Sequence, residues 1–230
     1  MELHTIFTKH ASKPGTSVES YVYRAHLLGI ILYSPLFKFA DNPILALRPV
    51  SRKLVILKKL PGMLVVSKSF RAYQFIVAKA PGTDEAFYNQ LVKDYSNVSF
   101  VTNKTYDLLL QSKAALVTSG TATLETALFN VPEVVCYKGS WLSYQIGRRL
   151  VKVKYISLVN LIMDKLVVKE LIQADLTAEK LKTELISLLH NEDRIREITK
   201  DYTVLKQMLH KDGNASSKAA ASIVQFLSGK

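Results

Sequence analysis

Residues 116–125, Leu-Val-Thr-Ser-Gly-Thr-Ala-Thr-Leu-Glu, constrain this chain more than any other stretch. The apolar run Ala114-Ala115-Leu116-Val117 has the composition of a buried strand. It stops at Thr118-Ser119-Gly120-Thr121, residues that favour a tight turn or a helix cap. Residues 122–129 then suit a helix. Strand, small-residue turn and helix is how an α/β fold builds an anion site. The first helical N–H groups lack intrahelical acceptors, and the macrodipole favours negative charge there. On this reading Gly120 lets a diphosphate approach the backbone, Ser119 or Thr118 caps the helix, and spare hydroxyls reach a phosphate. Glu125, further along, can accept hydrogen bonds from vicinal hydroxyls, as on a ribose. The same pattern also describes an ordinary capped helix with an exposed glutamate.

The rest of the chain repeats this rhythm. Short apolar runs read as strands at Ile44–Leu47, Gln74–Ala78, Val98–Val101 and Glu133–Tyr137. Between them helices are expected over Lys53–Phe70, Asp84–Tyr95 and Thr105–Lys113. Alternation of this kind predicts a parallel sheet with helices on both faces, with ligands beyond the carboxyl ends of the strands. Ser51 and Ser119 both follow strand ends, so one crevice can hold both. Further helices are expected over Thr177–His190, with Thr177 as N-cap, over Ile195–Leu209 and over Ser216–Leu227. Residues 1–42 carry no recognisable motif. The apolar stretch Leu27–Phe37 is too short to span a bilayer and is broken by Pro35, and the N-terminus has no signal-peptide n-region. The stretch reads as a buried helix or a membrane-surface contact.

With 48% hydrophobic residues among 230, the chain can bury a sizeable core. One cysteine, Cys136, excludes an internal disulfide framework, and its apolar neighbours make it a structural thiol. The five histidines are scattered, with no metal-ligand spacing. A net charge of +12 attracts polyanions: nucleotide diphosphates, anionic headgroups or nucleic acid. Basic residues cluster at Arg48, Arg52, Lys53, Lys58 and Lys59, and at Lys138, Arg148, Arg149, Lys152 and Lys154. Aromatic residues do not interleave them, which argues against nucleic acid.

The motif LVTSGTATLETALFNVPEVVCYK, with GRRLVKVKYISLVNLI and VVKELIQ after it, closely resembles the C-terminal half of the lipid-A-disaccharide synthase family. The resemblance runs from about Pro43 to about Leu227. It implies the nucleotide-sugar domain of a GT-B glycosyltransferase, Rossmann-like, spanning 43–212. Residues 1–42 stay unassigned, and a crossover-type helix spans 213–230. The implied reaction transfers a diacylated glucosamine from its UDP form to an acylated glucosamine 1-phosphate, releasing UDP, with no cofactor or metal. Ser51, Arg52, Ser119, Gly120, Thr121, Ala122, Thr123, Glu125 and Asn160 are the implied UDP-sugar contacts. The implied setting is cytoplasmic, peripheral at the inner face of the inner membrane.

Several positions depart from the family pattern. Val50 replaces a glycine before Ser51-Arg52, Val55 and Leu166 replace acids, Lys79 replaces a small residue, and Arg48 stands where an apolar residue is usual. A complete enzyme of this type has another Rossmann-like domain, carrying the general base, before the matched region. The chain is therefore expected to bind UDP-sugar and to need a separate N-terminal half for transfer. The alternatives are a non-catalytic nucleotide-binding remnant and a basic peripheral membrane module.

Overall fold

The computed structural model describes residues 39–49, 53–80, 82–139, 154–210 and 215–228. Among these, strands β1 (Ile44–Arg48), β2 (Gln74–Lys79), β3 (Val98–Thr102), β4 (Ser112–Thr118), β5 (Glu133–Tyr137) and β6 (Lys169–Ile172) form one sheet, in the order β3-β2-β1-β4-β5-β6. Every neighbouring pair is parallel. The connecting helices are α1 (Lys53–Ser67), α2 (Glu85–Val92), α3 (Thr105–Gln111), α4 (Thr121–Leu128) and α5 (Leu158–Met163); α6 (Ala178–His190), α7 (Glu192–His210) and α8 (Ala215–Leu227) follow β6.

A parallel sheet must be covered on both faces, and the period-2 alternation of the strands shows how. Leu45, Leu47, Phe75, Val77, Ala114 and Leu116 enter one core with Ile56, Leu60 and Met63 of α1, Tyr88 of α2 and Leu181 and Leu185 of α6. Ile44, Ala46, Ile76, Ala78, Ala115 and Val117 face the opposite way, against Leu108 and Leu109 of α3, Phe129 and Val131. The expected Rossmann-like architecture is thus present. Thr177 caps α6 as anticipated, its Oγ1 accepting from Lys180 N at 3.2 Å.

Two elements were invisible to periodicity. β6 reads Lys-Glu-Leu-Ile, with only Leu171 fully buried, because it is the edge strand. α5 is six residues long, too short for a helical pattern to register. The helix expected over Lys53–Phe70 ends at Ser67, and Phe70 instead packs edge-on to Tyr73. α8 matches the expected final helix; Ile223, Val224, Phe226 and Leu227 on it are all exposed. The apolar stretch Leu27–Phe37 and the basic segment around Arg148 and Arg149 lie outside the described residues.

Among the described residues Arg48, Lys59, Asp107, Glu133 and Asp201 are buried charged residues, and two of them bear on the site and on stability. Arg48 ends β1 and is 9% exposed. Glu133 opens β5, is fully buried, and neither carboxylate oxygen has a hydrogen-bond partner among the described residues. Burial pushes the Glu133 carboxyl well above the ordinary carboxylate range, and the Arg48 charge only partly opposes this. Cys136, two residues on, is a buried free thiol. Burial and Glu133 raise its pKa, against the weaker pull of Lys59, so it behaves as the structural thiol expected.

The native state therefore holds a proton on Glu133 that the unfolded chain has already released above its ordinary carboxylate pKa. Stability falls as pH rises through the window above about 4.5. Glu133→Met removes both the unpaired polar group and this slope. It should raise the Tm at pH 7.5 by at least roughly 2 °C, burial of an unbonded polar group costing about 1–3 kcal/mol. Thermal melts should show a smaller gain at pH 4.5. An equal gain at both pH values would mean that Glu133 is not held protonated.

Candidate functional site

β1 and β4 are neighbours, with Arg48 in register with Val117. From β1 the chain passes through α1 to β2 on one side; from β4 it passes through α4 to β5 on the other. The strand order reverses between them. That reversal opens a crevice beyond the carboxyl ends, where open α/β sheets bind ligands. Arg48 and the 118–121 turn stand at its mouth. Ser51 and Arg52 lie outside the described residues.

The turn is built on Gly120. Its φ of 149° and ψ of −166° are a combination that only glycine adopts without strain. It is the N-cap of α4, with no side-chain cap bond. A Cβ built on it would meet nothing within 4 Å among the described residues, which leave the space above the turn open. Neither Thr118 nor Ser119 caps the helix, contrary to the sequence expectation. Ser119 Oγ donates instead to Ile156 O at 2.9 Å, tying the turn to the loop before α5. Thr118 Oγ1 is buried without a partner among the described residues. Thr123 Oγ1 donates back to Gly120 O at 2.9 Å, and Thr123 is fully buried. The backbone N–H groups of Thr121 and Ala122 thus open the helix uncapped, with Thr121 exposed and Ala122 half-buried.

Glu125 is not a freely exposed helical glutamate. Arg48 Nη2 donates to its Oε2 at 2.6 Å, and Arg48 Nη1 donates to Ala122 O at 2.8 Å and to Thr126 Oγ1 at 3.1 Å. The guanidinium is wedged between the end of β1 and the first turns of α4, and the Glu125 side chain keeps 30% exposure. In the sequence alone Arg48 is a departure from the family pattern with no role. The available signal was a cation ending an otherwise apolar central strand, since a buried cation requires an anionic partner nearby.

Asn160 is brought to the loop beside the turn, but not as a ligand contact. It is fully buried. Its Nδ2 donates to Val168 O at 2.8 Å and Glu170 Oε1 at 2.9 Å, and its Oδ1 accepts from the N–H groups of Val167 and Val168, both at 2.9 Å. Those four bonds exhaust the amide, so it has no donor or acceptor left for a sugar. Glu170 completes the knot, accepting from the N–H groups of Ile156 and Ser157. Together the two side chains shape the loop that receives Ser119. Of the sequence-derived contacts, Ser119, Gly120, Thr121, Ala122, Thr123 and Glu125 share one turn of chain, while Asn160 supports it from below.

A cavity of about 460 Å³ lies elsewhere, lined by Pro43, Ser112 and Pro132 at the amino ends of β1, β4 and β5. That is the wrong end of the sheet for a ligand of this fold, and Lys113 is its one charged lining residue. Among the described residues no group of three or more His, Cys, Asp or Glu is placed to hold a metal, and no helix is long and apolar enough to cross a membrane.

Asn160→Ala should lower stability by about 2–4 kcal/mol in urea unfolding, because several buried backbone and carboxylate partners lose their bonds together. In the folded variant, UDP affinity measured by calorimetry should stay within about threefold of wild type. A selective loss of affinity without loss of stability would restore Asn160 as a ligand contact.

A sequence-family model described as Lipid-A-disaccharide synthetase matches residues 37–225. The chain is 37% identical over 189 residues to the lipid-A-disaccharide synthase of Syntrophus aciditrophicus, covering 80% of this chain and 49% of that protein. Against the synthase of Anaeromyxobacter sp. (strain K) the identity is 38% over 156 residues, 65% of this chain and 41% of that one. The chain spans about half the length of the curated relatives it matches. Among solved structures, the glycosyltransferase SnogD from Streptomyces nogalater superposes with a TM-score of 0.50 at 20% identity, over 85% of this chain and 46% of that one. The kitacinnamycin glycotransferase gives 0.51 at 13%, over 76% and 42%. At such identities these two speak for the fold alone. With its SGT turn and sheet order in place, and most of its length matched, the chain belongs to the lipid-A-disaccharide synthase family.

Proposed function

We propose that this chain supplies the UDP-sugar side of lipid A disaccharide formation. In that reaction an acylated glucosamine moves from its UDP form to an acylated glucosamine 1-phosphate. The observation that carries the reading is the uncapped start of α4 above Gly120, open at the carboxyl end of β4 where the sheet order reverses, in a chain of this family. The N–H groups of Thr121 and Ala122 take the diphosphate and stabilise the charge that develops on UDP as it leaves. The Glu125 carboxylate, 30% exposed, stands at the same mouth for the ribose side, and the Thr118 hydroxyl is buried behind the turn. Arg52 adds its fork from the turn after β1 in the reading from sequence.

The acceptor and the general base belong, on this reading, to the part of the family's length that the chain does not match. The described carboxylate at the turn, Glu125, is held by Arg48 through Oε2 and belongs on this reading to the ribose side. The acyl chains of both substrates bring the reaction to a membrane surface. The net charge of +12 favours the anionic inner face of the inner membrane.

Thr121→Pro tests the diphosphate site. Proline suits the first helical position, and the extended ψ of Gly120 accepts it, so the fold should be unchanged. The variant lacks one N–H donor. UDP affinity by calorimetry should fall about tenfold or more, one hydrogen bond to a charged group being worth roughly 1.5–3 kcal/mol, with the Tm within about 2 °C of wild type. Undiminished affinity would remove the helix N-terminus from the site.

The division of labour is tested by activity. Disaccharide formation from both lipid substrates in detergent should be undetectable with the 230-residue chain alone and appear when the N-terminal half of a full-length relative is added. A missing general base alone costs roughly 100- to 10,000-fold. Robust turnover by the chain alone would refute the division, and silence in both assays would favour a non-catalytic nucleotide binder.

A further inference from the structure

The Arg48–Glu125 pair lies at the mouth of the site, and its geometry is not that of a surface ion pair. The guanidinium is buried and its fork is fixed at three points, on Ala122 O, Thr126 Oγ1 and Glu125 Oε2. Ala122 O and Thr126 Oγ1 are already bonded to each other at 2.7 Å, so the seat of the fork is rigid. All three anchors lie on α4, and two of them, Ala122 O and Thr126 Oγ1, are independent of Glu125. The cation would therefore stay in place if the carboxylate were exchanged. The carboxylate, in contrast, depends on the cation for its orientation.

Only one carboxylate oxygen of Glu125 is held. Oε2 accepts from Arg48, and Oε1 has no hydrogen-bond partner among the described residues while the side chain remains 30% exposed. A carboxylate with one oxygen pinned and the other open is a directed acceptor. A free glutamate at that position would sample several rotamers and lose entropy on meeting a hydroxyl. We infer that Arg48 is a positioning residue for the sugar of the nucleotide: by holding Glu125 Oε2, it presents Oε1 to a vicinal diol just inside the mouth of the crevice. The inference rests on the nucleotide-site reading above and extends it to the choice between ribose and deoxyribose. Arg48 touches no ligand in this scheme.

A strand-to-helix staple with no ligand role would produce the same contacts, so the decisive readout is a ratio of affinities. Calorimetry with UDP and 2′-deoxyuridine diphosphate should show wild type preferring UDP by about ten- to a hundredfold, the range expected when a carboxylate loses a hydroxyl partner. In Arg48→Met the ratio should fall to within about threefold. A general loosening of the site, or loss of the Arg48 charge, would weaken both ligands alike and leave the ratio intact. Arg48→Lys keeps a cation but lacks the fork, and its ratio should fall at least threefold; it gives the answer should Arg48→Met fail to fold.

Wild-type discrimination retained in whichever variant folds overturns the inference and leaves the nucleotide site standing. Wild type binding both ligands equally also overturns it, again without touching the diphosphate site. Wild type binding no UDP removes the nucleotide reading and the inference together.

Discussion

The parallel pairing of β1 with β4 is the constraint from which the rest follows. Residues 45–47 at the sheet centre are wholly buried, so no polar group of these strands can be left unpaired and register is fixed on both sides. Parallel strands cannot be joined by a tight turn, so each must be followed by a crossover. Because the crossovers from β1 and β4 lead to opposite edges, the chain parts above that pair. Everything at the site is placed by this parting: Arg48 at the end of one strand, Thr118 and Gly120 at the end of the other, and α4 rising between them.

How much of this could be read in the sequence varied with the strength of the local pattern. Five of the strands are apolar runs with turn residues at their ends, and they fall where composition puts them. β6 does not, since an edge strand buries one face and tolerates lysine and glutamate. The turn at Gly120 was legible because a run of small residues between a strand and a helix has few other uses. The partners of its side chains were not. Ser119 reaches Ile156, 37 residues away, and Arg48 reaches Glu125, 77 residues away. A hydroxyl beside a helix start is a cap by local rules, but a tertiary contact draws Ser119 to Ile156 and Thr118 is buried away from the helix start.

Asn160 makes the same point from the other side. It lies in a motif shared with the family, and a polar residue in such a motif invites a ligand role. Its surroundings instead need two donors and two acceptors in one plane, to close the backbone of residues 167–168 onto the start of β6. A side-chain amide is the one neutral group that offers both at once. Glu170 then fixes the 156–157 backbone, and that backbone receives Ser119. The motif thus acts on the site at one remove, through the shape of a loop.

Two of the buried charged residues, Glu133 and Arg48, have opposite consequences. Glu133 has no bonded partner, and its burial favours the neutral acid. Arg48 is fully engaged, and its effect on the site is electrostatic as well as geometric. Glu125 lies four residues after Thr121, about 6 Å along the helix axis from the end proposed to take the diphosphate. At an effective dielectric near 20, a lone carboxylate there would oppose each unit of phosphate charge by about 3 kcal/mol, while the half-charge of the helix end at about 4 Å attracts it by about 2 kcal/mol. Unpaired, Glu125 would weaken the helix terminus as an anion site, by the same factor for any diphosphate. With the Arg48 guanidinium 2.6 Å from its carboxylate, the pair is close to neutral, and the N–H groups of α4 can act on a diphosphate. An acceptor for hydroxyls and a donor end for phosphates can then share one short helix.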